Sequence, residues 1–257
     1  MWFQFISYLN YRMKAKGLHG THSPLIYDFV ERVLQNEHAF YAYRKLERLR
    51  NRQLQDKGFI EVQDFGAGSK KLDSKRAIAS IAKVSGTTEK YNRLLHRIAW
   101  FYQAKNILEF GTSLGLGTAA LALADSAAKV VSVEGDPATA KRAKENLKGI
   151  GLNQVKVMNL RFDEALIELK DETWDLIFLD GHHEEAATIR YAQALVPKLN
   201  AGGVIVLDDI YWSKGMASAW NQLKEHPQLT YSIDLYRMGI LSFQEGMEKG
   251  QHFVLKY

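Results

Sequence analysis

Cysteine is absent from the 257 residues. That excludes a disulfide framework and thiolate chemistry, and it fits a reducing compartment such as the cytoplasm. No apolar run is long enough to span a bilayer. The opening MWFQFISYLNYRMKAKG has no charged leader ahead of its apolar residues and no small-residue cleavage site, so it does not read as a signal peptide. Internal repeats and low-complexity linkers are missing too. Charge of one sign is in short supply: the net is +5, an excess that favours anionic partners without demanding them. Much of it falls on Arg44, Lys45, Arg48, Arg50 and Arg52. Such a run is most often a solvated helix face, with a nucleic-acid surface as the alternative.

What is present is enough apolar material, 46% of residues, to bury a full core. The length suits one large α/β domain or a medium domain with an N-terminal extension. The first third reads as helical. Phe5, Ile6, Leu9 and Met13 recur at helical spacing, with Arg12, Lys14 and Lys16 following. Packing against the rest of the chain is the expected role of that stripe, and a membrane-surface helix is the other. In HGTHSPLIYDFVERVL, Ser23 can cap a helix that Pro24 opens, with Ile26, Phe29, Val30 and Val33 as its buried stripe. A further helical stretch reaches about Lys57.

From Thr88 the texture changes. Thr88 can cap a helix whose Leu94, Leu95, Ile98 and Phe101 form an apolar face. Then NILEF, VVSVEG, VKVMNL, WDLIFLDG and GGVIVLDD alternate with amphipathic helical runs. Near-continuous apolar strands separated by helices predict a parallel sheet covered on both faces. The tail LTYSIDLYRMGILSF reads as two strands joined around Met238 and Gly239, a hairpin. The expected fold is therefore α/β: a doubly wound, Rossmann-like, seven-stranded sheet of parallel strands plus a C-terminal antiparallel hairpin. A mainly helical extension (1–86) precedes the sheet-bearing domain (87–257).

Two glycine loops compete for a nucleotide-type cofactor: VQDFGAGSKK from Val62 and ILEFGTSLGLGTAAL from Ile107. A cofactor loop should end a buried strand and open a helix, so that free N–H groups face the ligand. After Gly117 the chain passes into TAALALA, a strong helix former, whereas after Gly68 it passes into the charged SKKLDSK. An acid at the end of the next strand should take a ribose. From Glu109 that acid is Glu134, and the same spacing from Asp64 reaches only Glu89, at a polar helix start. Gly111, Gly115 and Gly117 do not follow the dinucleotide spacing G-x-G-x-x-G, and no P-loop exists. A cofactor with a ribose but no pyrophosphate suits a loop whose leading carboxylate would repel phosphate.

ILEFGTSLGLGT, VVSVEGDP, WDLIFLDGHH and GGVIVLDDI resemble, in order and spacing, the class I S-adenosylmethionine-dependent methyltransferases, and among them the catechol and caffeoyl-CoA O-methyltransferase group. The likeness covers about Thr87 to Phe243. It implies that Glu109 and Gly111 lie beside the methionine part of the cofactor, that Ser113, Gly115 and Gly117 shape the turn, and that Glu134 takes the ribose hydroxyls. Phe162 and Asp163 would flank adenine, Asp180 would stand between cofactor and acceptor, and His182 would lie near the cofactor. The group uses a divalent metal and a nearby base to strip the acceptor hydroxyl of its proton. Asp180, Asp208 and Asp209 fall where the metal ligands would be, suiting Mg²⁺ or a similar ion. Two departures stand out: Asp209 replaces a common amide, and His183 replaces a lysine base.

Blander readings remain for these residues: a strand-end capping pair for Asp208 and Asp209, and a polar helix start for His182 and His183. The expected function is methyl transfer to oxygen of a small molecule, anionic or aromatic. Ser69, Lys70 and Lys71 of the first loop would meet an anionic acceptor, and Tyr211 and Trp212 would form an aromatic wall. The alternatives are an RNA or protein methyltransferase, a nicotinamide-dependent oxidoreductase, and a non-catalytic binding protein that keeps the fold.

Overall fold

A computed structural model of the chain describes residues 2–17, 23–62, 74–84, 88–244 and 246–257. The glycine loop with Ser69, Lys70 and Lys71 lies outside the described residues. The chain forms two compact units, one of Met1–Asn36 with Glu172–Tyr257, the other of Glu37–Asp171.

The first unit begins with helix α1 (Trp2–Lys14) and α2 (Pro24–Phe29), which runs on as a π-helical turn, Val30–Leu34. Ser23 stands at the N-cap of α2 with Pro24 behind it, and its side chain makes no capping bond. Ile26, Phe29, Val30 and Val33 are all buried, as their spacing requires. Helix α1 departs from expectation. Its apolar stripe of Phe5, Ile6, Leu9 and Met13 is exposed, and the helix is tied down through its other face. There the Tyr11 hydroxyl donates to the Leu255 carbonyl at 2.5 Å, and Tyr8 meets the edge of Tyr236. Spacing alone identified an amphipathic helix but not which face is covered.

The second unit carries α3 (Tyr41–Gln55), an antiparallel strand pair β1 (Phe59–Val62) and β2 (Ser74–Ala77), α4 (Ile78–Val84) and α5 (Glu89–Phe101). The pair β1–β2 was not expected in a helical extension. Thr88 occupies the N-cap of α5 without a side-chain bond, while Leu94, Leu95 and Ile98 are fully buried. Next come β3 (Asn106–Phe110), α6 (Leu116–Ala122), β4 (Lys129–Val133), α7 (Pro137–Lys148), β5 (Lys156–Met158) and α8 (Phe162–Glu168). Strands β3, β4 and β5 pair in parallel. Their register sets Glu109 beside Ser132.

The first unit resumes with β6 (Trp174–Leu179), α9 (Glu185–Leu195), β7 (Leu199–Leu207), α10 (Lys214–Leu223), β8 (Tyr231–Asp234), β9 (Gly239–Ser242) and β10 (Gln251–Val254). Strands β6 and β7 are parallel, β9 runs antiparallel to both β7 and β8, and β10 lies parallel to β8. The α/β class and the terminal hairpin follow the sequence pattern. With β10 the units hold five and three such strands, eight in place of seven. The added strand is short and only partly buried, so it carries little of the apolar alternation that marks its neighbours.

Candidate functional site

The loop after β3 is built around left-handed backbone. Gly111, Ser113 and Gly115 have φ of 107°, 47° and 84°. A Cβ on Gly115 would also stand 3.2 Å from the Leu147 side chain, so conformation and space both demand glycine there. Gly117 sits inside α6, which is only seven residues long. The loop is held from two sides: the side-chain amides of Gln53 and Asn146 both donate to the Leu114 carbonyl, at 2.9 and 3.0 Å.

Two carboxylates end the neighbouring strands. Glu109 is 1% exposed. Its Oε2 accepts from the Thr118 hydroxyl and, at 2.5 Å, from Ser132. Its Oε1 is buried with no partner. Burial, against the bonds from Ser132 and Thr118 and helped by the charge of Glu134, pushes the carboxyl up to about 7. Glu134 accepts from the Ser113 N–H at 2.9 Å and the Asp136 N–H at 3.0 Å. Burial raises its pKa, against those backbone bonds. Each of its oxygens keeps lone-pair capacity for another donor. An orphaned buried oxygen on Glu109 and a half-buried, amide-oriented carboxylate on Glu134 fit a ligand that brings an ammonium group and a pair of hydroxyls.

The expected adenine residues are placed differently from one another. Phe162 is buried and stacks on Phe110, with ring centroids 4.6 Å apart, so one of its faces is already covered. Asp163, in the first turn of α8, is exposed. Sequence reasoning missed Thr118, Ser132 and Asn159. The Asn159 amide donates to the carbonyls of Glu134 and Gly135. A serine within the apolar run VVSV was the one signal for Ser132. The basic residues of α3 are partly engaged locally: Arg52 donates to the Gly149 carbonyl at 3.3 Å, and Lys45 to that of Ile150 at 3.5 Å.

In the first unit, Asp180 follows β6 and Asp208 follows β7. Among the described residues, five non-glycine positions have positive φ, and three of them are His182, Asp209 and Ser113, all anticipated site residues. Strained backbone of this kind persists where the surroundings over-determine it, which is common at functional sites. His183 Nε2 stands 3.7 Å from Asp180 Oδ1. His182 is exposed, and its carbonyl accepts from the Glu184 N–H. Tyr211 donates to Asp234 at 2.6 Å and stacks on Tyr236, whereas Trp212 is largely exposed.

The carboxylates expected to bind metal are occupied otherwise. Arg237 donates from Nε to Asp208 Oδ1 and from Nη2 to Asp208 Oδ2, both at 3.1 Å, and its Nε lies 3.4 Å from Asp209 Oδ1. Burial opposes the guanidinium's charge, but Asp208, Asp209 and Asp180 outweigh it and raise its pKa above the ordinary value. For Asp209, burial and Asp208 raise the pKa while Arg237 and His183 lower it. Among the described residues, no three His, Cys, Asp or Glu side chains are grouped to hold a metal ion. As arranged, this acid cluster does not fit a divalent cation, which needs open carboxylate oxygens at close range.

Residues 108–210 match the profile of a family described as a methyltransferase domain. A protein from Niastella koreensis named catechol O-methyltransferase is 31% identical over 123 residues, covering 46% of this chain and 55% of that one. The chain spans about half the length of the curated relatives it matches. Among solved structures, a methyltransferase from Podospora anserina bound to S-adenosylhomocysteine matches with a TM-score of 0.60 and 17% identity, over 88% of this chain and 97% of that one. An O-methyltransferase from Bacillus cereus in complex with S-adenosylhomocysteine gives 0.57 and 17%, over 80% and 92%. At such identities the likeness speaks for the fold, which is Rossmann-like. No helix of the described residues is long and apolar enough to cross a membrane.

Proposed function

We propose that the chain is an S-adenosylmethionine-dependent methyltransferase acting on an oxygen of a small molecule. The observation that carries this reading is the pair of strand-end carboxylates, one with a buried, unpartnered oxygen and one aimed by the Ser113 amide. Within the region from residue 87 onward, Glu109 would take the ammonium group, Glu134 the ribose hydroxyls, and Gly111, Ser113, Gly115 and Gly117 would allow close approach of the backbone. Phe162 and Asp163 border the adenine, with Phe162 offering an edge or its remaining face.

When bound, the cofactor supplies an electrophilic methyl on a positive sulfur. The protein's task is alignment and removal of water, which can supply several orders of magnitude in rate. An acceptor hydroxyl must also lose its proton. His183 lies within ion-pair range of Asp180, whose charge favours the protonated ring, and the imidazole takes that proton. His182 holds the turn between them in left-handed conformation. Tyr211 and Trp212 supply aromatic surface for the acceptor. The lack of cysteine supports a cytoplasmic setting.

Calorimetric titration with S-adenosylmethionine tests the reading. Two charge-assisted hydrogen bonds to the ribose, each worth about 1.5 kcal/mol or more, would be lost in Glu134→Ala. Affinity should then fall about 100-fold. Binding that survives the substitution unchanged, or a preference for NAD, would remove the proposal.

A further inference from the structure

The hairpin of β8 and β9 does more than close a sheet edge. Its register against β7 pairs Leu207 with Gly239. Past the strand end the two segments stay side by side with the pairing shifted by one residue. The Ile210 N–H donates to the Arg237 carbonyl at 3.1 Å, which sets that shift beside the left-handed Asp209. Arg237 therefore reaches the strand tip of β7 by construction. The Leu235 carbonyl accepts from its N–H at 2.9 Å, and Tyr236 before it is in left-handed conformation, so the turn that presents it is tight.

We infer that Arg237 is a built-in cation of this strand tip: its guanidinium takes, on Asp208 and Asp209, the place that a divalent ion would need. Both oxygens of Asp208, a side chain only 1% exposed, are engaged by the fork of the arginine. Planar two-point pairing of that kind is the strongest that guanidinium and carboxylate make. A divalent ion ligated by Asp208 would have to sit in contact with the guanidinium or displace it. The protein thus binds no divalent cation at these residues, and its proton chemistry is left to side chains such as His183. Arg237 is a positioning residue that holds the loop of Asp208 and Asp209 in place. The inference rests on the proposed function only for what the strand tip is used for.

Binding of Mn²⁺ to EDTA-treated, full-length protein, followed by electron paramagnetic resonance of the free ion, decides it without any acceptor. Wild type should show no site tighter than roughly 1 mM. Arg237→Met should expose Asp208 and Asp209 and create a site at least tenfold tighter, which Asp208→Asn in the same background abolishes. A wild-type site that Asp208→Asn removes would overturn the inference, and so would an Arg237→Met protein that is folded by circular dichroism yet gains no affinity. Should Arg237→Met fail to fold, Arg237→Gln serves in its place, and the wild-type titration remains decisive alone. Titration with S-adenosylmethionine on the same samples reads the functional proposal separately.

Discussion

Glu109 and Glu134 end two neighbouring parallel strands, and Asp208 and Asp209 follow another. The first pair is oriented by neutral donors, the hydroxyls of Thr118 and Ser132 and the backbone amides of Ser113 and Asp136, with one oxygen of Glu109 left over. The second is satisfied by a guanidinium. Neutral donors orient a carboxylate without cancelling its charge, so Glu109 and Glu134 remain able to attract a cationic ligand. A fixed cation neutralises Asp208 and completes its hydrogen bonding. Acids at equivalent ends of strands can therefore serve opposite purposes, and the type of donor tells them apart.

The largest effect that could break this contrast is a pH dependence at Glu109. Its pKa of about 7 lies above its ordinary value of 4.5, so its protonated form stabilises the fold fully below pH 4.5. That contribution, of order 3 kcal/mol, is lost as pH rises through about 7. Binding of an ammonium group favours the ionised form, so cofactor affinity should run the other way. It should rise about tenfold per pH unit up to about 7, with one proton released on binding. Calorimetry between pH 5 and 8 checks this, and Glu109→Gln should flatten the profile. Equal slopes in both proteins would place the titration elsewhere.

Gly239→Ala should act on the other acid pair. Its new Cβ would lie 2.5 to 2.8 Å from the Trp220 ring, which overpacks the hairpin carrying Arg237. A loss of about 2 kcal/mol, read from thermal or urea unfolding, is expected. An unchanged midpoint would mean that the hairpin shifts freely, and with it the arginine.

The smallest effect expected is that of Ser132→Ala. Removing one of two hydroxyl donors costs about 1 kcal/mol. Because that bond favours the ionised form, the midpoint for cofactor binding should move to higher pH. A shift downward would mean that the serine does not stabilise the carboxylate.

The alternation of apolar strands and helices, the hairpin and the Glu109–Glu134 spacing were all legible in the sequence, because each is a local pattern or a pattern repeated along the chain. Arg237 was not. It lies 29 positions beyond Asp208, in a stretch recognised only as a turn, and the pairing of the hairpin with β7 and its one-residue shift at the tip bring the two together. Thr118 and Ser132 were hidden for a related reason: a hydroxyl on a helix or strand gains meaning only when cross-strand pairing sets it beside a buried acid. The exposed stripe of α1 shows the converse limit. Periodicity reveals that a helix has two faces, and tertiary contacts through Tyr11 and Tyr8 decide which one is covered.

The grip of two amides on the Leu114 carbonyl makes the glycine turn answerable to a distant helix. Gln53, itself 2% exposed, comes from α3, outside the segment that matches the family profile. Ile78 and Ala82 of α4 pack with Leu114 as well. A chain shortened to begin at residue 87 would shed these supports together and leave Asn146 as the sole side-chain amide steadying that carbonyl. Variation in the leading helices is thus a route by which the tightness of the turn can be tuned while every residue of the turn itself stays the same.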